Sequence, residues 1–394
     1  MTAPLSGVTV LDLSQLAQGP FATQMLADMG ADVLKVEPPK GDWMRHFAMA
    51  DAYVGGHSTS FLALNRNKRS IVVDLKSTGG VDVLLGLVAQ ADVLIENYRP
   101  GVMDRLGIGY ERLARVNPRL VYCASSGYGQ DGPYRSRPGQ DLLVQALTGL
   151  TYLNGTAADP PVPVGIGLAD LAAGMHIVIG VLAALQRRHT TGEGQRVDVN
   201  LLDSILALQA QEMVTYLNTD RAPERSASGV PNPYLGAPYG IYRTADGHLA
   251  LAMNRIDVVA RLIGVPGYED VTTNNVQEGR DAVNARFAEA FAVKPTAEWL
   301  DVLLAADIWC AEVNDYAAVV EDPQVRHNGM ITSYDHPEAG EVRVLGDPIR
   351  FSGSPRTAPR PAPLLGGHTR TILAEKLGLS AGRIEELLAT GAVR

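Results

Sequence analysis

Residues 161–188 read PVPVGIGLADLAAGMHIVIGVLAALQRR, in which a proline-containing turn leads into a long apolar run. The part from 171 to 185 has no Asp, Glu, Lys or Arg and many small residues. This pattern predicts a buried helix. One carboxylate, Asp170, lies where the helix begins.

Two interpretations of Asp170 follow from its place at a helix start. An Asp side chain can cap a helix by accepting hydrogen bonds from free backbone N–H groups. Alternatively, Asp170 is a carboxylate nucleophile held at the positive end of a helix dipole. The two roles are compatible, because the same N–H groups can stabilise a developing oxyanion.

The segments before this helix predict a parallel sheet. Residues 8–13 (VTVLDL) form a strand pattern, a helix pattern opens at Pro20, and residues 31–36 (ADVLKV) form a second strand pattern. Strand, helix and strand within forty residues indicate a βαβ unit. Further strand patterns follow at 70–75, 91–95 and 120–124. We expect ligands at the loops after these strands, but no G-x-G-x-x-G follows the first strand, which argues against NAD or FAD.

The second half of the chain predicts a different domain. A proline-rich linker at 218–239 precedes a hairpin signal around Ala245-Asp246-Gly247 and three helix patterns. The predicted fold class is α/β, with a smaller α+β domain. The predicted boundaries are a large domain at 1–217, the linker, a small domain at 240–320 and a return to the large domain at 321–394.

Composition limits the classes of partner and compartment. The 394-residue chain has a net charge of −9 and no long basic block, which argues against nucleic acid. Its only cysteines, Cys123 and Cys310, form neither a disulfide framework nor a metal cluster, which is typical of a reducing cytoplasm. The start lacks a signal-peptide pattern, and the apolar run is short for a membrane span. We therefore expect a cytoplasmic protein without a metal site or membrane partner.

Seven segments together resemble the family III CoA-transferases, which include formyl-CoA and carnitine CoA-transferases and, as relatives, the 2-methylacyl-CoA racemases. They are GVTVLDLSQLAQGPFATQMLADMGADVLKVE (7–37), LNRNKRSIVVDLKS (64–77), ADVLIENYRPGVMDRLG (91–107), SGYGQDGPY (126–134), GLADLAAGMHIVIGVLAAL (167–185), TGEGQRVDVNLLDS (191–204) and APLLGGHT (362–369). The resemblance implies a Rossmann-like large domain, a small domain and an interlocked homodimer.

The resemblance also implies an activity. Asp170 matches the catalytic Asp of the transferases, which attacks an acyl-CoA thioester and passes CoA to a carboxylic acid through an aspartyl anhydride and an aspartyl-CoA thioester. Acyl-CoA and a carboxylate are then the small-molecule substrates, and no cofactor is permanently bound. Racemase or epimerase chemistry by α-proton transfer is the alternative. The racemases have a His where this chain has Gln140, and Gln cannot exchange a proton at neutral pH. A catalytically silent CoA-binding protein is a third possibility.

Further site residues are carried over from the same motifs. Ala17 stands where the formyl-CoA transferases have Gln, and the segment 231–240 has no counterpart of their glycine-rich loop, which argues against formyl-CoA and oxalate as substrates. The predicted CoA-binding residues are Lys76, Asn97, Tyr98, Arg105, Ala17, Arg99 and Arg137. The predicted substrate-loop residues are Gln18, Gly127, Tyr128 and Gln140.

Overall fold

The computed structural model describes residues 2–354, 356 and 358–394. Its strands are β1 (Thr9–Asp12), β2 (Asp32–Glu37), β3 (Tyr53–Val54), β4 (His57–Ser58), β5 (Arg69–Val72), β6 (Val93–Glu96), β7 (Val121–Ser126), β8 (Gln195–Asn200), β9 (Gly240–Arg243), β10 (His248–Leu251), β11 (Cys310–Glu312), β12 (Ile331–His336) and β13 (Gly340–Leu345). The α-helices are α1 (Gln18–Asp28), α2 (Thr59–Leu64), α3 (Thr78–Val88), α4 (Val102–Arg105), α5 (Tyr110–Val116), α6 (Asp141–Leu147), α7 (Leu168–Thr191), α8 (Leu201–Leu208), α9 (Ala210–Thr219), α10 (Ile256–Ile263), α11 (Arg280–Phe291), α12 (Thr296–Ala305), α13 (Tyr316–Glu321), α14 (Pro323–Asn328), α15 (Thr369–Leu377) and α16 (Ala381–Ala389).

A six-stranded parallel sheet organises the large unit and confirms the predicted α/β class. Its strand order is β5-β2-β1-β6-β7-β8, and every neighbouring pair is parallel. Counted along the chain, this is the order 3-2-1-4-5-6 of doubly wound nucleotide-binding folds. The winding reverses between β1 and β6, so the loops after these strands leave on opposite sides. A crevice at the carboxyl ends of β1 and β6 is the place where such sheets bind ligands.

Both faces of this sheet are covered by helices. Alternate residues of a strand face opposite sides, so Val10 packs with α1 and α7, whereas Leu11 packs with α3, α15 and α16. Helix α7 is long and apolar enough to pass a length-and-composition test for a membrane span, but half of its most apolar stretch is buried inside the fold. A core helix passes the same test.

The helix after β1 begins two residues earlier than predicted. It starts at Gln18 rather than at Pro20. Pro20 then occupies the third position of the first turn. This is tolerated because the N–H groups of a first turn have no partner in the helix, so the missing N–H of proline costs nothing there.

The chain forms two compact units. One comprises residues up to 144, 167–205 and 323–394, and the other comprises 145–166 and 206–322. The second unit contains the antiparallel sheet β11-β10-β9 and an aromatic core in which Phe291 contacts Trp299 at 5.4 Å between ring centroids. The predicted hairpin is β9 and β10, which pair antiparallel. The finer boundaries at 217, 239 and 320 stay a prediction.

Candidate active site

Asp170 is the third residue of α7 and lies in its first turn. The N-cap residue of α7 is Gly167, which offers no side-chain cap. Helices that run back between parallel strands begin at the carboxyl edge of the sheet. Asp170 is therefore on the edge where the switch-point crevice opens.

Another carboxylate, Asp141, caps α7 in place of Asp170. Its Oδ1 accepts from the backbone N of Ala169 at 2.7 Å and from the backbone N of Asp170 at 3.3 Å. The capping interpretation of Asp170 therefore does not apply, and its carboxylate is left for another role. Sequence reasoning missed Asp141. The sequence marked Asp141 only as the first residue of a helix pattern, next to Gln140.

The environment of Asp170 disfavours its charged form. Burial, and next to it the charge of Asp141, raises the pKa of Asp170 to about 7. Near neutral pH the side chain is therefore divided between carboxylate and carboxylic acid. Perturbed carboxyl groups of this kind, placed in a crevice, are candidates for acid–base or nucleophilic chemistry.

Gly174 brings the first turn of α1 close to α7. A Cβ on Gly174 would lie 2.8 Å from Cδ1 of Phe21 and 2.9 Å from the carbonyl oxygen of Gln18, so only glycine permits this approach of α7 to α1. Asp170 precedes Gly174 by four residues and shares its helix face. Asp170 is therefore close to the start of α1.

The side chain of Gln18 points into the protein. It is 9% exposed, and its Oε1 accepts from Oγ of Ser125 on β7. Ala17, the N-cap residue of α1, makes no side-chain cap.

Buried charges lie beneath the same loop. Lys68 Nζ lies 3.1 Å from Asp12 Oδ2 and donates to the carbonyl oxygen of Pro20 at 2.9 Å. Burial opposes ionisation of Asp12, but Lys68, Lys35 and two hydroxyl hydrogen bonds lower its pKa to about 2. Burial also lowers the pKa of Lys68 to about 8, although Asp12 opposes the effect. These charges hold the first turn of α1, and the sequence patterns did not single them out.

A cleft of about 550 Å³ adjoins the loop and contains two of the predicted CoA contacts. Lys76 and Tyr98 line it together with Gln15 and Lys40. The cationic and aromatic side chains suit a phosphorylated nucleotide. Asn97 binds the backbone of Gln15 rather than lining this cleft.

The remaining predicted cationic contacts lie elsewhere. Arg99 lines a separate cleft of about 210 Å³ beside Glu96. Arg105 is exposed, and its Nη1 would lie 3.4 Å from a Cβ on Gly101. The guanidinium carbon of Arg137 lies 3.6 Å from the ring centroid of Tyr134. The structure therefore does not gather these three arginines at the cleft of Lys76.

The predicted substrate loop is folded against the segment before α6. A Cβ on Gly127 would lie 2.6 Å from Cα of Gly139, so both positions require glycine. Tyr128 packs edge-on against Tyr134 at 5.8 Å between ring centroids. Gln140 is exposed, and its Oε1 accepts from the backbone N of Leu142 at 3.0 Å. Gln140 thus lies directly before Asp141, the residue that caps α7.

The fold and this geometry define an α/β protein with a half-buried carboxylate at the carboxyl edge of its parallel sheet. The profile of CoA-transferase family III matches residues 5–369. Succinyl-CoA:glutarate CoA-transferase of Mus musculus is 37% identical over 99% of this chain and 90% of its own length. Acetyl-CoA:oxalate CoA-transferase of Acetobacter aceti is 36% identical over 89% of this chain and 90% of its own length.

Solved structures agree. A CAIB/BAIF family protein from Brucella suis has a TM-score of 0.84 and 33% identity, covering 95% of this chain and all of that one. The chain therefore belongs to CoA-transferase family III, which confirms the resemblance seen in the sequence. It is an enzyme of CoA transfer that uses acyl-CoA as substrate.

Proposed function

We propose that the enzyme moves CoA from an acyl-CoA thioester to a carboxylic acid and that Asp170 is the nucleophile. The observation that carries this proposal is the position of Asp170: it is half-buried in the first turn of a helix that Asp141 caps in its place, and it lies close to the start of α1. Only the ionised form attacks, so a pKa near 7 keeps a reactive fraction at neutral pH.

The first half-reaction exchanges one thioester for another. A carboxylate oxygen of Asp170 attacks the thioester carbonyl, the C–S bond breaks and CoA leaves as the thiolate, which gives a mixed anhydride. The thiolate then attacks the aspartyl carbonyl of this anhydride. The donor acid leaves as its carboxylate, and Asp170 carries CoA as a thioester.

The second half-reaction reverses these steps with the acceptor. The acceptor carboxylate attacks the aspartyl thioester, and the thiolate leaves again. The thiolate attacks the acceptor's carbonyl in the new anhydride, which releases the new acyl-CoA and the free carboxylate of Asp170. The thioester free energy is conserved because no step uses water.

Backbone N–H groups at the start of α1 would stabilise the oxyanions of these steps. The N–H groups of Gln18 and Gly19 open an eleven-residue helix and have no partner within it. They belong to the first turn of α1, whose residues Gln18 and Phe21 pack against Gly174 of α7. Donors of this kind act most strongly where charge develops in the transition state.

The cleft of Lys76 and Tyr98 is the proposed site of the CoA nucleotide. Lys76 would pair with a phosphate, and Tyr98 would pack against the adenine or the pantetheine arm. Arg105, Arg99 and Arg137 contribute only if their exposed or separate side chains reorient toward the ligand. The relatives are named for succinyl-CoA, glutarate and oxalate, so dicarboxylic acids are the first acceptors to test.

A homodimer is part of the same proposal. Apolar side chains of α6 and α7 face solvent in the single chain, among them Leu142 at 49%, Leu143 at 48% and Ile179 at 61% exposure. A partner copy would cover such surface. Light scattering should give twice the chain mass of 42.0 kDa, and a monomer would contradict this part. Residence in the cytoplasm stays a prediction.

Trapping the aspartyl intermediate tests the mechanism. Wild-type enzyme, D170A and D203N are incubated with a panel of acyl-CoAs, quenched with hydroxylamine or borohydride, and analysed by intact mass and peptide mapping. D203N is the matched control, because Asp203 is also the third residue of its helix. A modification at Asp170 in wild type and D203N, absent from D170A, is expected.

The same samples test racemase chemistry. A pKa near 7 would also suit a base that removes an α-proton. However, Gln140 offers no second base on the other side. Deuterium entering the α-carbon without an acceptor acid, together with no trapped adduct, would replace the transferase mechanism with the racemase mechanism.

A further inference from the structure

The turn at residues 14–17 has a backbone conformation that leucine rarely adopts. Leu16 has φ of +67°, in the left-handed region where the Cβ of a non-glycine residue is crowded. Its side chain is 41% exposed, so burial in the core does not hold it there. Such conformations persist only where the surroundings impose them, and they cluster at functional sites.

Side chains from distant segments hold this turn by its backbone. The amide of Asn97 accepts from the backbone N of Gln15 at 2.9 Å and donates to its carbonyl oxygen at 2.8 Å. Asp42 Oδ1 accepts from the backbone N of Leu16 at 3.3 Å. The N–H and C=O of Gln15 and the N–H of Leu16 are therefore all hydrogen-bonded, which leaves the backbone of Leu16 little freedom to leave the left-handed region.

The support beneath the turn is rigid. Lys35 Nζ donates to the carbonyl oxygen of Ser14 at 3.1 Å and lies 2.7 Å from Asp42 Oδ2. Lys35 and Asp42 are both 0% exposed. A fully buried ion pair cannot move without exposing charge to apolar surroundings, so it gives the turn a fixed base.

The turn lies between the nucleotide cleft and Asp170. Gln15 lines the cleft, whereas Gln18, three residues later, packs its carbonyl against the position of Gly174. Gly174 is one helical turn after Asp170. Residues 15–18 therefore connect the wall of the cleft to the surroundings of Asp170, and an acyl-CoA that reached from the cleft to Asp170 would run along this turn.

From this arrangement we infer that Asn97 is a positioning residue that holds the Leu16 turn in its left-handed conformation and thereby places the thioester at Asp170. This inference rests on the proposed function. It differs from the prediction that Asn97 binds CoA, because the carbonyl oxygen and the nitrogen of its amide are both engaged by Gln15. A positioning defect lowers the rate of the bound complex, whereas a lost CoA contact weakens binding.

The first test is the kinetics of N97A. We expect kcat for transfer to fall by about 10- to 100-fold, as for a misplacement of roughly 1 Å, with KM for the acyl-CoA changed less than about threefold. The matched control is N117A, since the Asn117 amide also holds backbone carbonyls, those of Val88 and Ala91, at 2.9 and 2.8 Å. N117A should lower stability without this selective loss of kcat.

The second test is rescue through the backbone. Glycine adopts the left-handed region readily and alanine does not, yet both remove the leucine side chain. The kcat of L16G/N97A should therefore be at least about fivefold higher than that of N97A. The kcat of L16A/N97A should stay close to that of N97A. If N97A unfolds, N97D replaces it in both double variants. Its carboxylate can still accept the hydrogen bond from the N–H of Gln15 but cannot donate one to the carbonyl oxygen.

Each result separates the inference from the proposed function. A raised KM with unchanged kcat in N97A, or equal rescue by L16A and L16G, overturns the positioning role. Failure to trap any adduct at Asp170 in the wild-type enzyme would instead overturn the aspartyl mechanism. Normal trapping in wild type with a slow appearance of the adduct in N97A is the expected combination.

Discussion

Replacing Asp170 with Asn should stabilise the protein at alkaline pH while abolishing transfer. Burial, with the charge of Asp141 next, raises the pKa of Asp170 from its ordinary value of 3.8 to about 7. As the pH rises, the carboxyl group ionises in the unfolded chain before it ionises in the folded chain. Above the pKa of the unfolded chain the group therefore opposes folding, because the folded chain must either keep a proton or desolvate the charge.

The size of this effect depends on pH in a defined way. The difference between 3.8 and 7, at 1.36 kcal/mol per pKa unit, corresponds to about 4 kcal/mol of lost stability at pH 8. At pH 5 the unfolded carboxyl is ionised and the folded one is still protonated, so only about 2 kcal/mol is lost. Asn carries no charge, so the stability gained by D170N should be larger at pH 8 than at pH 5, by roughly 2 to 3 kcal/mol.

Denaturation of wild type and D170N at both pH values measures this difference. D203N is the control, because Asp203 has the same position in α8 and is exposed. Its stability relative to wild type should change little between pH 5 and 8. A gain for D170N that is equal at the two pH values, or a loss at pH 8, would refute the argument that desolvation of Asp170 lowers the stability of the fold.

Three further predictions concern the site. The rate of transfer should rise with pH through about 7. D141N should move this rise to lower pH, because Asn can still accept hydrogen bonds from the two N–H groups but carries no charge. An unchanged pH–rate profile in D141N would contradict the role of Asp141. K76A should raise KM for acyl-CoA about tenfold with little change in kcat, whereas R99A, in the other cleft, should not. G174A should lower both Tm and kcat, since its Cβ would lie 2.8 Å from Phe21; an unchanged Tm would show that α1 and α7 separate freely.

The sheet could be predicted because its signals are local. Each strand is a short apolar run with a turn at its end, and the helices between them carry their own pattern. The long apolar run at 171–185 predicted α7 for the same reason. The strand order followed from no local pattern, but the βαβ succession already required parallel pairing.

The contacts that shape the site could not be predicted because they join distant residues. Asp141 caps a helix that begins 27 residues later in the chain, whereas capping rules consider only neighbouring residues. Asn97 holds Gln15 across a separation of 82 residues. The resemblance pointed to Asn97 as a CoA contact, which stays a prediction, and gave no sign that its amide also binds the backbone of Gln15.

The buried charges show why pattern rules fail at this place. Lys35 lies in the apolar strand pattern ADVLKV and Lys68 precedes another strand, where a lysine is normally expected at the surface. Here both are at most 3% exposed, and Lys68 keeps its charge because Asp12, Asn65 and the carbonyl oxygen of Pro20 all accept from it. Burying such groups stabilises a fold little, since desolvation offsets their attraction.

Their value lies in fixing geometry. The buried ions contribute little to stability, whereas the left-handed Leu16 and the desolvated carboxyl of Asp170 disfavour the folded chain, and all three features lie at the same edge of one sheet. Proteins depart from the rules of stability mainly where function requires a fixed arrangement of groups. This concentration of unfavourable features, independent of any relative, argues that the edge formed by 12–18, 35–42, 97 and 170 is where the chemistry takes place.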